Sequence, residues 1–121
     1  MASIQAIRIL HKPFLDIMTK SELFSRALTN SNIFVTSLVS RLHYYSTNST
    51  THHDNDTIVL RSLLRMLQIL HQYHSNPTLF VIDNNLYTVV QGFAQIEGQV
   101  LVHQIANKLL IDFQNNNLLT I

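Results

Sequence analysis

The chain has no cysteine and no tryptophan, only two glycines and two prolines, and just 12% charged residues over 121 positions. Without cysteine it can build neither a disulfide framework nor a thiolate metal site. Gly92 and Gly98 leave no material for a phosphate-cradling loop, and there is no G-x-S-x-G elbow, H-E-x-x-H pair or kinase signature set. No catalysis and no cofactor are therefore expected. No apolar run reaches the roughly 20 residues of a membrane span; the greasiest, residues 58–70, is cut by Arg61, Arg65 and Gln68. The N-terminal residues lack the compact apolar core and cleavage site of a signal peptide, so a cytoplasmic location and no membrane partner are expected. A formal net charge of +1, with seven histidines counted neutral, sets up no field strong enough to recruit nucleic acid.

What is present is apolar. Hydrophobic residues make up 46% of the chain and the mean hydropathy is +0.13, which excludes a disordered, self-repelling polymer and suggests surfaces meant to be covered. Residues 76–113 show three helical runs with punctuation between them. Asn76-Pro77 opens the first, because asparagine caps a helix and proline suits its first turn. Asn84-Asn85 breaks it, 86–95 form a second run, Glu97-Gly98 interrupts, and 100–113 form the third. Asparagine and glycine tolerate the left-handed backbone that such breaks need.

The preceding residues read as partners of this segment. Residues 4–19 have helical apolar spacing that Pro13 either kinks or divides into two short helices. Ser21 and Glu22 start a helix with Leu23, Phe24, Ala27 and Leu28 as its expected buried face, and Asn30-Ser31-Asn32 stops it. Residues 33–45 place Ile33, Phe34, Ser37, Leu38, Leu42 and Tyr45 on one side. Residues 46–56, STNSTTHHDND, contain nothing apolar and read as a solvated loop. Asp56 is then the expected cap of a helix over 57–74, in which Leu60, Leu63, Leu64, Leu67 and Leu70 recur every three or four residues. Arg61, Arg65, Gln68 and Gln72 form its polar strip. A helix so largely apolar must pack on several sides.

The two halves can be laid on each other: residues 21–75, with the polar insertion 46–56, and residues 76–121 both run short helix, break, medium helix, long helix. Residues 1–20 then read as the end helix of a preceding unit. On Asn76-Pro77, the Asn84-Asn85 break and the pattern Leu86, Val89, Val90, Phe93, the second half resembles an armadillo repeat, and the spacing of the halves suits the armadillo and HEAT range once the insertion is discounted. The resemblance implies an all-α fold of about two three-helix units whose third helices line a concave face. It departs from the family at the groove asparagine many armadillo proteins place late in the third helix, which falls near residues 109–111 here. The pattern LLRMLQILHQYHSNP, residues 63–77, is also similar to C-terminal helical-repeat regions of fungal mitotic-exit and septation kinases, which implies a cell-cycle signalling role and extends the expected location to the nucleus or spindle pole.

The functional expectation follows. Arg61, Arg65, Gln68 and Gln72, with Gln99, His103 and Asn107 on the last helix and Lys108 beside them, form a mildly basic ladder suited to an acidic or phosphorylated segment of a partner protein. The commoner fate of such residues is simply to be the wet face of an amphipathic helix. Apolar residues at both ends (Ile4, Ile7, Leu10 and Phe14; Leu118, Leu119 and Ile121) point instead to sealing by further repeats, a partner chain or a second copy, as an oligomerisation or scaffold module would do. A third reading is a metal-assisted hydrolase using His52, His53, His71 and His74. Metal sites need three or four convergent ligands, and histidines near a helix end are more simply surface residues that suit the helix dipole.

Overall fold

The computed structural model describes residues 12–13, 15–47, 54–95 and 99–119, with the backbone alone at 54–56 and 116–119. Every element among them is helical. Residues 12–13 and 15–20 belong to α1, followed by α2 (Glu22–Thr29), α3 (Asn32–Thr47), α4 (Asp54–Tyr73), α5 (Pro77–Asp83), α6 (Leu86–Ala94) and α7 (Val100–Leu119). From α2 onward the helices are 8, 16 and 20 residues long, then 7, 9 and 20.

Local chemistry explains the boundaries. Ser21 caps α2, its hydroxyl accepting from the Phe24 amide at 3.2 Å, and the Asn30 amide returns to the Arg26 carbonyl at the other end. Ser31 caps α3 in the same way, accepting from the Phe34 amide. Asn76 accepts from the Leu79 amide at 3.2 Å with Pro77 in the first turn of α5. The turn into α6 passes through Asn85 at φ 53 and ψ 37, the one non-glycine residue with positive φ among those described.

The core is organised around α4, which packs against α2, α3, α5 and α7. Leu60, Leu63, Leu64, Met66, Leu67 and Leu70 are all fully buried. Leu38 and Leu42 of α3 and Leu86, Val90 and Phe93 of α6 complete the interior, with Leu109 from α7. Complete burial of one such side chain contributes about 1.5–3 kcal/mol, so the leucine spacing of α4 is the largest single source of fold stability.

Several expectations are corrected. Ser46 and Thr47 continue α3, and α4 begins at Asp54, so Asp56 lies inside that helix rather than capping it. The polar stretch has no glycine or proline to break a helix, and Thr47 donates its hydroxyl to the carbonyls of His43 and Tyr44 at the end of α3. The third run of the second half extends past Phe113 to Leu119.

The buried face of α2 also differs from the one expected. Leu23 is 83% exposed, and Ala27 is exposed too. Ser25 and Thr29 are buried instead. Ser25 donates to the Met18 carbonyl and Thr29 to the Ser25 carbonyl, both at 2.8 Å; with their hydroxyls satisfied, two small polar side chains can occupy a tight contact. In α3, Ile33 is 79% exposed while Arg41 is only 8% exposed. The Arg41 guanidinium lies over the rings of Tyr44 and Tyr45, 4.7 and 5.0 Å from their centroids, which offsets part of its lost hydration. The apolar end residues expected at 4–14 and 118–121 have side chains outside the described residues.

Candidate functional site

The polar strip of α4 exists, and it is divided between two clefts. Its first half, Arg61 and Arg65, faces α1 across a cleft of about 350 Å³ that Lys12, Asp16 and Ser62 also line, with Leu15 and Ile58 as apolar shoulders. Among the described residues no ion pair engages Lys12, Arg61, Arg65 or Asp16. Among the described residues the Arg61 Nε–H is buried without an acceptor. The second half, Gln68 and Gln72, faces α7 across a cleft of about 500 Å³ that also receives Lys108, Asp112 and Asn115. There Lys108 donates to Asp112 at 2.9 Å, so the charges of that cleft are already neutralised.

Gln99, His103 and Asn107 do not join either cleft. The buried stripe of α7 is Val102, Ala106, Leu109 and Phe113, and at about 100° per residue His103 and Asn107 fall on one side of it while Lys108, Asp112 and Asn115 fall on the other. Gln114, seven residues after Asn107, donates to the Tyr87 hydroxyl at 2.9 Å, which marks that side as the one facing α6. Gln99 precedes α7, its backbone carbonyl accepting from the His103 amide and its side-chain oxygen buried without a donor among the described residues. Asp112 and Asn115 continue the line of Lys108 at helical spacing, a signal present in the sequence. Lys12 comes from a distant helix, and nothing in the sequence pairs it with Arg61.

His71 and His74 are used structurally. His71 is only 5% exposed, with its ring 4.9 Å from that of Phe113, which corrects the expectation of a surface residue. Burial pulls its pKa below the ordinary 6.5; Asp112 opposes that shift and His74 adds to it. His74 stacks on Phe80 at 4.7 Å, and its Nδ1 accepts from the Asn76 amide. Among the described residues no three histidine, cysteine, aspartate or glutamate side chains gather as a metal set. His52 and His53 lie outside them. No helix among those described is long and apolar enough to cross a membrane.

No protein-family model matches the chain, and no solved structure does. It is similar to plant kinases over 115 residues: 28% identical to MAP3K epsilon protein kinase 1 of Arabidopsis thaliana, and 27% identical both to the Brassica napus protein of that name and to MAP3K epsilon protein kinase 2 of Arabidopsis thaliana. Each match covers 89% of this chain and 8% of the kinase. The similarity is thus to a short part of much longer kinases, in a chain that carries none of the kinase signatures and is helical throughout its described residues.

Proposed function

We propose that this chain is a non-catalytic, armadillo-like interaction module of about two three-helix units, residues 21–75 and 76–121, that binds an acidic segment of a partner protein. The observation that carries the reading is the cleft between α1 and α4, where Lys12, Arg61 and Arg65 converge with no ion pair among the described residues. Charged clefts of this kind steer and hold an oppositely charged partner. Gln68 and Gln72 extend the surface toward α7, and a partner reaching Gln99, His103 or Asn107 has to pass over that helix. The ordered lengths of α2–α4 and α5–α7 support the two-unit organisation. Similarity to a short part of kinases supports a regulatory place beside a catalytic domain; the fungal-kinase pattern of residues 63–77 supports a cell-cycle role, in the cytoplasm or at the nucleus and spindle pole.

Capture of partner proteins by the wild-type chain and by an Arg61→Glu, Arg65→Glu double variant tests the reading. Partners retained by the wild type should be lost from the variant while its circular dichroism is unchanged, and equal capture by both removes the cleft from the binding surface. A second reading, self-association, is favoured by the exposure of Leu23 and Ile33, large apolar side chains on neighbouring helices. Sedimentation over a concentration series separates the two, since a monomer at every concentration rejects self-association.

A further inference from the structure

We infer that the cleft between α1 and α4 is a receptor for the phosphate of a phosphorylated serine or threonine on the partner, an inference that rests on the binding role proposed above. Three cations, Lys12, Arg61 and Arg65, line the cleft with one carboxylate, Asp16, an excess of two positive charges. A phosphate monoester carries about −1.5 to −2 at neutral pH and offers three acceptor oxygens, whereas a carboxylate carries one negative charge and two. The excess therefore matches the monoester.

The donors match as well. Arg61 and Arg65 both line the cleft with no ion pair among the described residues, and arginine forks hold phosphate oxygens in pairs. Ser62, in the same lining, makes no hydrogen bond among the described residues and adds a neutral donor. Leu15 and Ile58, the latter 51% exposed, supply apolar walls for the residue next to the phosphate. The neighbouring cleft makes a natural contrast, because Lys108 is already bound to Asp112 there.

A lipid headgroup presents the same chemistry, but a membrane surface recruits a broad basic face, and this chain has a net charge of +1. A concave cleft of about 350 Å³ suits one side chain. The peptide is the occupant the geometry favours.

The test uses degenerate peptides made in three matched forms, with phosphoserine, serine or glutamate at the fixed central position, titrated against the whole chain by fluorescence anisotropy. The phosphorylated form should bind at least about tenfold more tightly than either other form. Lys12→Gln and Arg61→Gln should each remove most of that preference, Arg65→Gln should do the same at an exposed site where folding is not at risk, and Arg26→Gln, at a cation paired with Glu22 on α2, should leave it intact. Equal binding of the three forms overturns the phosphate assignment. So does a preference that survives all three cleft substitutions in folded protein, or tighter binding to phosphatidylserine vesicles than to the phosphopeptides. Glutamate and phosphoserine forms bound equally, with both lost in the Arg61→Glu, Arg65→Glu variant, would overturn the phosphate inference while leaving the cleft as the partner-binding face.

Discussion

His43 Nε2 lies 3.1 Å from the backbone carbonyl of Asn84, a residue 41 positions away. A carbonyl can only accept, so the ring nitrogen carries the hydrogen and the contact selects the Nε2–H tautomer. The bond fastens α3 to the break between α5 and α6, one residue before the left-handed Asn85.

Replacing His43 with leucine leaves that half-buried carbonyl without its donor. A loss of about 1 kcal/mol is expected, read as a lower urea midpoint with an unchanged slope. An unaltered midpoint would show that water replaces the imidazole at no cost.

Asn85 holds φ 53 with no side-chain capping bond. Glycine adopts this conformation freely, and a β-branched residue resists it. Asn85→Gly should therefore fold with equal or slightly higher melting temperature, whereas Asn85→Val should lose at least about 1 kcal/mol. Thermal unfolding of the pair checks the difference, and similar values for the two would contradict the left-handed turn.

Leu64 is fully buried in α4, the helix that packs against α2, α3, α5 and α7. Leu64→Ala should cost about 2–5 kcal/mol through lost burial and the cavity left behind. Chemical denaturation measures it, with exposed Leu23→Ala as the control expected to change stability by less than about 0.5 kcal/mol.

Burial lowers the His71 pKa in the folded chain below the 6.5 of the unfolded one. The unfolded chain then binds more protons between the two values, so stability is fully present above pH 6.5 and declines as pH falls through the folded pKa. An NMR titration of the ring should place its midpoint below 6.5, and His71→Phe should flatten the contribution this residue makes to melting temperature against pH. A midpoint at or above the ordinary value would overturn the burial argument.

The parts of the fold legible in the sequence are those set by local chemistry. Ser21 and Asn76 cap because a short polar side chain reaches a free amide two or three residues on, and Asn85 turns because asparagine tolerates positive φ. Leu60 to Leu70 face inward because their spacing follows the helical turn. Burial set by neighbours was not legible. Leu23 and Ser25 exchange the places their polarity suggests, since the close approach of Met18 selects a small side chain that can bond its carbonyl. Arg41 and His71 are buried by aromatic rings, two of which lie three and four residues after Arg41 on the same helix while Phe113 arrives from another helix. The strip from Arg61 to Gln72 was readable as a line on one helix, but its division depends on which helix lies opposite each half.

The position of α4 among α2, α3, α5 and α7 also bears on how the molecule comes apart. Peeling away either end strips cover from the same leucine-lined rod, so neither half retains a complete interior by itself. Heating should therefore give a single calorimetric peak, with the slowest amide exchange along residues 60–70.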